Sequence, residues 1–190
     1  MQITRKQELA LWLSGLIGFA FPFKFAYDIY HNVFVANIVT WLLVLILDVV
    51  GLLIAVKEGN KRPYLQLGWA IAAVCIMLAI LVRQSTFAIG WVEIASSLLC
   101  LLAVILWRTA GQHAAILGFT FQTLAVYVSF IPQAVNYWIK PEPSTWYLWF
   151  FTAIGCALAI YASPKKDMRH TFIPWGAFIL NVAIMMLVLR

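Results

Sequence analysis

Phe130-Ile131-Pro132-Gln133-Ala134-Val135-Asn136-Tyr137-Trp138 places a proline and two amides inside an apolar run long enough to cross a bilayer. A proline within a helix removes one backbone hydrogen bond and crowds the preceding turn. In hydrocarbon the carbonyl so freed needs a partner from a neighbouring helix or a water-lined cavity. Pro132 therefore marks a hinge, and Gln133 and Asn136 are candidate ligands for whatever occupies a cavity beside it.

The rest of the chain belongs in the same solvent. Of its 190 residues 64% are hydrophobic and only 11% charged, and the mean hydropathy is +0.93. Such a chain cannot cover a water-exposed surface with polar groups, so the composition implies an all-α integral membrane protein whose first partner is the lipid bilayer. The net charge of +6 does not point to nucleic acid, because the 13 Lys and Arg are scattered over short loops and form no stripe. The basic start followed by apolar residues from Leu9 imitates a signal peptide. Lys24 interrupts the place of a cleavage site, and the segment reads as a retained first helix. Cys75, Cys100 and Cys156 are odd in number and lie within apolar runs, so they give no disulfide or metal framework.

Apolar runs between charged or Pro/Gly punctuation predict seven transmembrane helices, near 9–30, 33–56, 65–83, 87–108, 114–138, 146–162 and 172–189. Loops on the N-terminal side of the membrane hold nine Lys and Arg, against four on the other. The positive-inside rule then puts the N-terminus in the cytoplasm and the protein in a plasma (inner) membrane.

An internal repeat runs through these segments. A shift of 107 lays Arg62 on Arg169, Ala70 on Ala177 and Arg83 on Arg190; a shift of 110 lays Pro22 on Pro132, and one of 108 lays Trp41 on Trp149. Each unit is three helices, so two units that point the same way across the membrane require a helix between them. The division is 1–83 for the first repeat, 84–113 for the linker helix and 114–190 for the second repeat, with Pro22 and Pro132 as matched hinges.

Depth selects the polar residues. At about 1.5 Å per residue, Asp48, Gln122 and Asn181 all fall near the bilayer middle, with Ser96 and Ser97 of the linker helix at comparable depth. A charged side chain there costs at least about 3 kcal/mol, so Asp48 must be protonated, paired or wet, which makes it the proton-coupling candidate. Lys24 and Glu93 also share a depth and can form a salt bridge, although Asp28, four residues on, offers Lys24 a partner on its own helix face. Trp12, Trp69, Trp107 and Trp175 read as one aromatic belt and Trp91, Trp138 and Trp146 as the other. Trp41 and Trp149 sit deeper, where they can flank a ring-shaped ligand from two sides.

The Pro132-Gln133 dipeptide, the polar loop at 140–145 and the apolar helix after it resemble the PQ-loop proteins, which include the SWEET sugar transporters. The resemblance implies two parallel three-helix bundles joined by a linker helix, a three-plus-one-plus-three plan. It implies a Trp in the second helix of each unit and an Asn in the third near the solute: Trp41 and Trp149 take the first role and Asn181 the second. Val74 is the residue paired with Asn181 at a shift of 107, and Pro22-Phe23 stands where the second unit has Pro132-Gln133. The same superfamily includes the KDEL receptors, which bind a ligand.

The expected function is a carrier for a small polar solute, a sugar or metabolite, working by alternating access with proton coupling as an option. Solute-binding candidates are Asn181, Trp149, Trp41, Gln122, Gln133 and Asn136. The alternative is a ligand-binding or sorting receptor, or a solute-binding subunit, on the same fold. His31, His113 and His170 lie on different segments and there is no Gly-rich phosphate loop, so neither enzymatic chemistry nor a cofactor is expected.

Overall fold

Thr4 opens the first helix. Its hydroxyl accepts from the Gln7 backbone N–H at 3.3 Å while the Gln7 side chain accepts from the Thr4 N–H at 2.9 Å. This reciprocal cap starts the helix four residues before the apolar run begins at Leu9. The computed structural model describes residues 4–33, 36, 38–57, 59–83, 89–109, 113–141, 143–163 and 168–190, with the side chains of Ala114, Ala115, Pro132, Gln133, Asn136 and 168–170 left aside.

Among the described residues there are eight α-helices: α1 (Arg5–Tyr30), α2 (Ile38–Lys57), α3 (Tyr64–Arg83), α4 (Trp91–Thr109), α5 (Ala114–Ser129), α6 (Ile131–Ile139), α7 (Trp146–Ala162) and α8 (Met168–Val188). Six of them are long and apolar enough to cross a membrane, and α5 is a shorter apolar helix. Large apolar side chains face outward along these helices, among them Leu16, Leu53, Leu78, Leu98, Leu101 and Met186. Outward leucines on every face and small residues inside are the pattern of a helix bundle solvated by lipid. The chain is an all-α, multi-pass membrane protein.

The expected single helix over 114–138 is two helices. Pro132 has no N–H to give to the carbonyl of Val128. The chain therefore caps α5 at Phe130, whose N–H reaches back to the carbonyls of Val126 and Tyr127 at 3.2 and 3.3 Å. It restarts at Ile131 with Pro132 in the first turn of α6, where a missing donor costs nothing. Pro22, its counterpart, lies inside the unbroken α1, so the two prolines are not structurally equivalent.

Small residues set the packing order. α3 lies against both α1 and α2, α8 against both α7 and α5, and the two sets meet where α1 packs on α7 and α2 on α5. At the α1–α3 crossing a Cβ added to Gly68 would stand 2.4 Å from the Gly15 carbonyl oxygen, and one on Gly15 would stand 2.8 Å from the Tyr64 side chain. Backbones this close need glycine on both helices. On the other flank of α1, a Cβ on Gly155 of α7 would lie 3.2 Å from Ile17. α1 is thus clamped between α3 and α7, and α4 lies against α5 and α2.

Gly68→Ala should push α1 and α3 apart and lower stability by roughly 1–3 kcal/mol, the usual cost of an overpacked interior. Thermal unfolding in detergent reads this out, with the outward-facing Val74→Ala as the comparison that leaves the midpoint nearly unchanged.

Candidate functional site

The clamp between the two helix sets leaves a space at the centre. A cavity of about 120 Å³ is lined by residues of α1, α2, α3, α5, α7 and α8 and by Phe130 at the α5–α6 break; no described residue of α4 reaches it. An engineered apolar cavity of about 150 Å³ takes one benzene, so this space suits a solute of roughly six heavy atoms.

Depth counted along the sequence finds much of this lining. Asp48, Gln122, Asn181, Trp41, Trp149 and Pro22, drawn from five helices, all line the one cavity. Gln133 and Asn136, the two remaining solute-binding candidates, have side chains outside the described set. Ser96 and Ser97 do not line the cavity: Ser97 donates to the Glu93 carbonyl of its own helix at 2.7 Å.

The polar groups of the lining are only partly used by the protein. Gln122 Nε2 donates to the Leu47 carbonyl on α2 at 3.3 Å, tying α5 to α2. Gly51 makes room for that amide, since a Cβ there would meet Gln122 Nε2 at 3.2 Å. The Tyr127 hydroxyl donates to the Gly176 carbonyl on α8 at 2.7 Å, Thr152 Oγ1 to Leu148 at 2.6 Å and Asn181 Nδ2 to Ala177 at 2.7 Å. Four residues of the lining also carry a buried side-chain atom with no hydrogen-bond partner among the described residues: Trp69 Nε1, Gln122 Oε1, Thr123 Oγ1 and Trp149 Nε1. Each such orphan costs about 1–3 kcal/mol. Two donors, one acceptor and one hydroxyl thus stay unpaired on residues that line a single space.

Asp48 is the one charged residue among the described lining, and no described group hydrogen-bonds or ion-pairs with its carboxylate. The aromatic walls are anchored elsewhere. The Trp149 ring stands edge-on to Phe130 and Tyr137, with centroids 5.7 and 6.2 Å away, and Trp41 packs on Phe25 at 5.4 Å.

Three expectations are corrected. Lys24 does not reach Glu93: its ammonium binds Asp28 Oδ2 at 2.6 Å, one helical turn on, and the Tyr147 hydroxyl donates to the same oxygen at 2.7 Å. Glu93 instead accepts from the Thr40 hydroxyl at 3.0 Å and the Gly90 N–H at 2.9 Å. Trp69 is no belt residue, because its indole N–H is buried and its side chain lines the cavity. Val74 is 45% exposed, so the α3 residue that faces the cavity opposite Asn181 is its neighbour Ala73.

Sequence reasoning missed Trp69, Thr123, Tyr127 and Thr152 as lining residues. Thr152 was within reach: it stands three residues beyond Trp149 as Val44 stands three beyond Trp41, and i,i+3 positions share a helix face. Thr123 and Tyr127 flank Gln122 on the same helix, and depth alone could not say how far that face extends. Among the described residues no group of three His, Cys, Asp or Glu is placed to hold a metal ion.

Thr123→Val removes an unpaired hydroxyl while keeping its volume. The ligand-free protein should gain about 1 kcal/mol or hold steady, and a clear loss on thermal unfolding would show that the hydroxyl has a partner in the resting state.

Comparison with protein-family models, with curated proteins and with solved structures gives no match for this chain.

Proposed function

We propose that the protein is a membrane carrier for a small polar solute, working by alternating access about the central cavity. The observation that carries this reading is a carboxylate with no partner among the described residues on one solute-sized space at the meeting of two helix sets, with four of the lining residues each holding an orphaned polar atom. A cavity kept only for packing would be filled or apolar.

The reading includes seven spans in a three-plus-one-plus-three plan of the PQ-loop and SWEET type, with α5 and α6 together as the fifth span. Three features support it. α3 lies between α1 and α2 as α8 lies between α7 and α5. The cross-contacts α1 with α7 and α2 with α5 are then related by the same exchange of units. The third is a contact that occurs twice. The Arg83 guanidinium at the end of α3 sits 4.4 Å from the centroid of Tyr30 at the end of α1, and Arg190 beyond α8 sits 4.1 Å from that of Trp138 in α6. The arginines are 107 positions apart and the aromatics 108. At 108 the lining pairs as well: Trp41 with Trp149, Val44 with Thr152, Ala73 with Asn181.

In this reading the units rock against each other, and the break at Phe130 supplies a hinge in the second unit. Asp48 is the coupling group, since a carboxylate without a protein partner is occupied either by a proton or by the solute. Tyr127 is the only other titratable side chain of the described lining; Glu93 and Arg108 of α4 and Arg83 of α3 lie outside it. The charge distribution supports a cytoplasmic N-terminus in a plasma (inner) membrane.

Thr152→Cys, in a protein whose Cys75, Cys100 and Cys156 are replaced by serine or alanine, separates carrier from receptor without knowledge of the solute. A membrane-impermeant thiol reagent should label a carrier from either side of sealed vesicles. Labelling from one side only identifies a receptor or binding subunit. Reporters active on one side of the membrane, fused to each end, should place the termini on opposite sides; both ends on one side would reject seven spans.

A further inference from the structure

Building on the carrier reading, we infer that the central cavity selects a compact organic cation, a solute of quaternary ammonium or guanidinium type, over neutral or anionic solutes of the same size. The charge count decides the sign. One carboxylate, Asp48, lines the cavity, and among the described residues no Lys, Arg or His does. Nor is Asp48 matched from outside: the two described ion pairs, Lys24 with Asp28 and Arg62 with Glu8, engage other carboxylates. An anion would meet an uncompensated like charge at membrane depth. A neutral solute leaves the carboxylate to take up a proton, whereas a cation supplies the counter-charge that the ionised form lacks.

The walls fit the same ligand. Trp41, Trp69, Trp149, Phe25 and Phe130 line the space, and indole faces are the strongest aromatic partners for a cation once water is excluded. These rings come from five separate elements, α1, α2, α3, α7 and the α5–α6 break, so they surround the space instead of forming one stripe. A polyol needs a donor or acceptor for each hydroxyl, whereas most of the described lining is apolar and the Tyr127, Thr152 and Asn181 side chains already donate within the protein.

Matched pairs that differ in charge test this: choline against its carbon isostere 3,3-dimethyl-1-butanol, and guanidinium against urea. Equilibrium binding to the purified full chain in detergent should favour at least one cation over its neutral partner by about tenfold or more. Asp48→Asn, nearly isosteric, should bring that ratio to about one, with helical content and gel-filtration profile confirming a folded protein. Glu93→Gln, which removes a carboxylate outside the cavity, should leave the ratio as in wild type. Equal binding within both pairs, preference for the neutral member, or an unchanged ratio in Asp48→Asn overturns the inference, as does an equal loss in Glu93→Gln. None of those results touches the carrier reading, which the two-sided labelling of Thr152→Cys decides alone.

Discussion

In hydrocarbon a polar atom has no water to fall back on, and the structure turns on where this chain obeys that constraint and where it does not. Along most of the helices it is obeyed: hydroxyls bond back to their own helix, as Thr120 does to Ile116 and Ser129 to Val126. Asp28 is buried but holds both Lys24 and Tyr147. The exceptions that line a common wall, Trp69, Gln122, Thr123 and Trp149, gather at the centre. Folding free energy is left unrealised at those four atoms.

The close helix crossings determine where that centre lies. Gly15 and Gly68 bring α1 and α3 nearly into backbone contact, and Gly176 lets the Thr123 side chain of α5 press on α8, where a Cβ would stand 2.6 Å from Thr123 Cγ2. Helices drawn together at these points cannot also close where Trp41, Trp69 and Trp149 intervene, so small residues at the crossings and large rings between them produce the cavity together.

Much of this was legible before any coordinates, and the division between what was and was not has a geometric cause. Counting residues from a helix end gives depth, because the rise per residue is fixed, and depth alone brought Asp48, Gln122 and Asn181 to one level. It gives no direction around the helix axis. Height alone assigns Trp69 to a belt and offers Glu93 to Lys24, because it does not say which side of the helix each residue faces. The break at Pro132 was foreseen as a kink, but whether the chain bends or restarts depends on how Phe130 caps α5, and that is a backbone detail no composition carries.

Asp48 has a counterpart at the 108-residue shift, Cys156, which is buried with Leu65 and Ala159 and is not part of the cavity lining. On the proposed three-plus-one-plus-three plan, a symmetric dimer of the first unit would set two carboxylates against one another across the space, each raising the cost of the other. Fusing two unlike units into one chain would instead permit an odd number of charges around their pseudo-two-fold axis, which no homodimer can do. One carboxylate per cavity would thus be a property that joining the halves makes available.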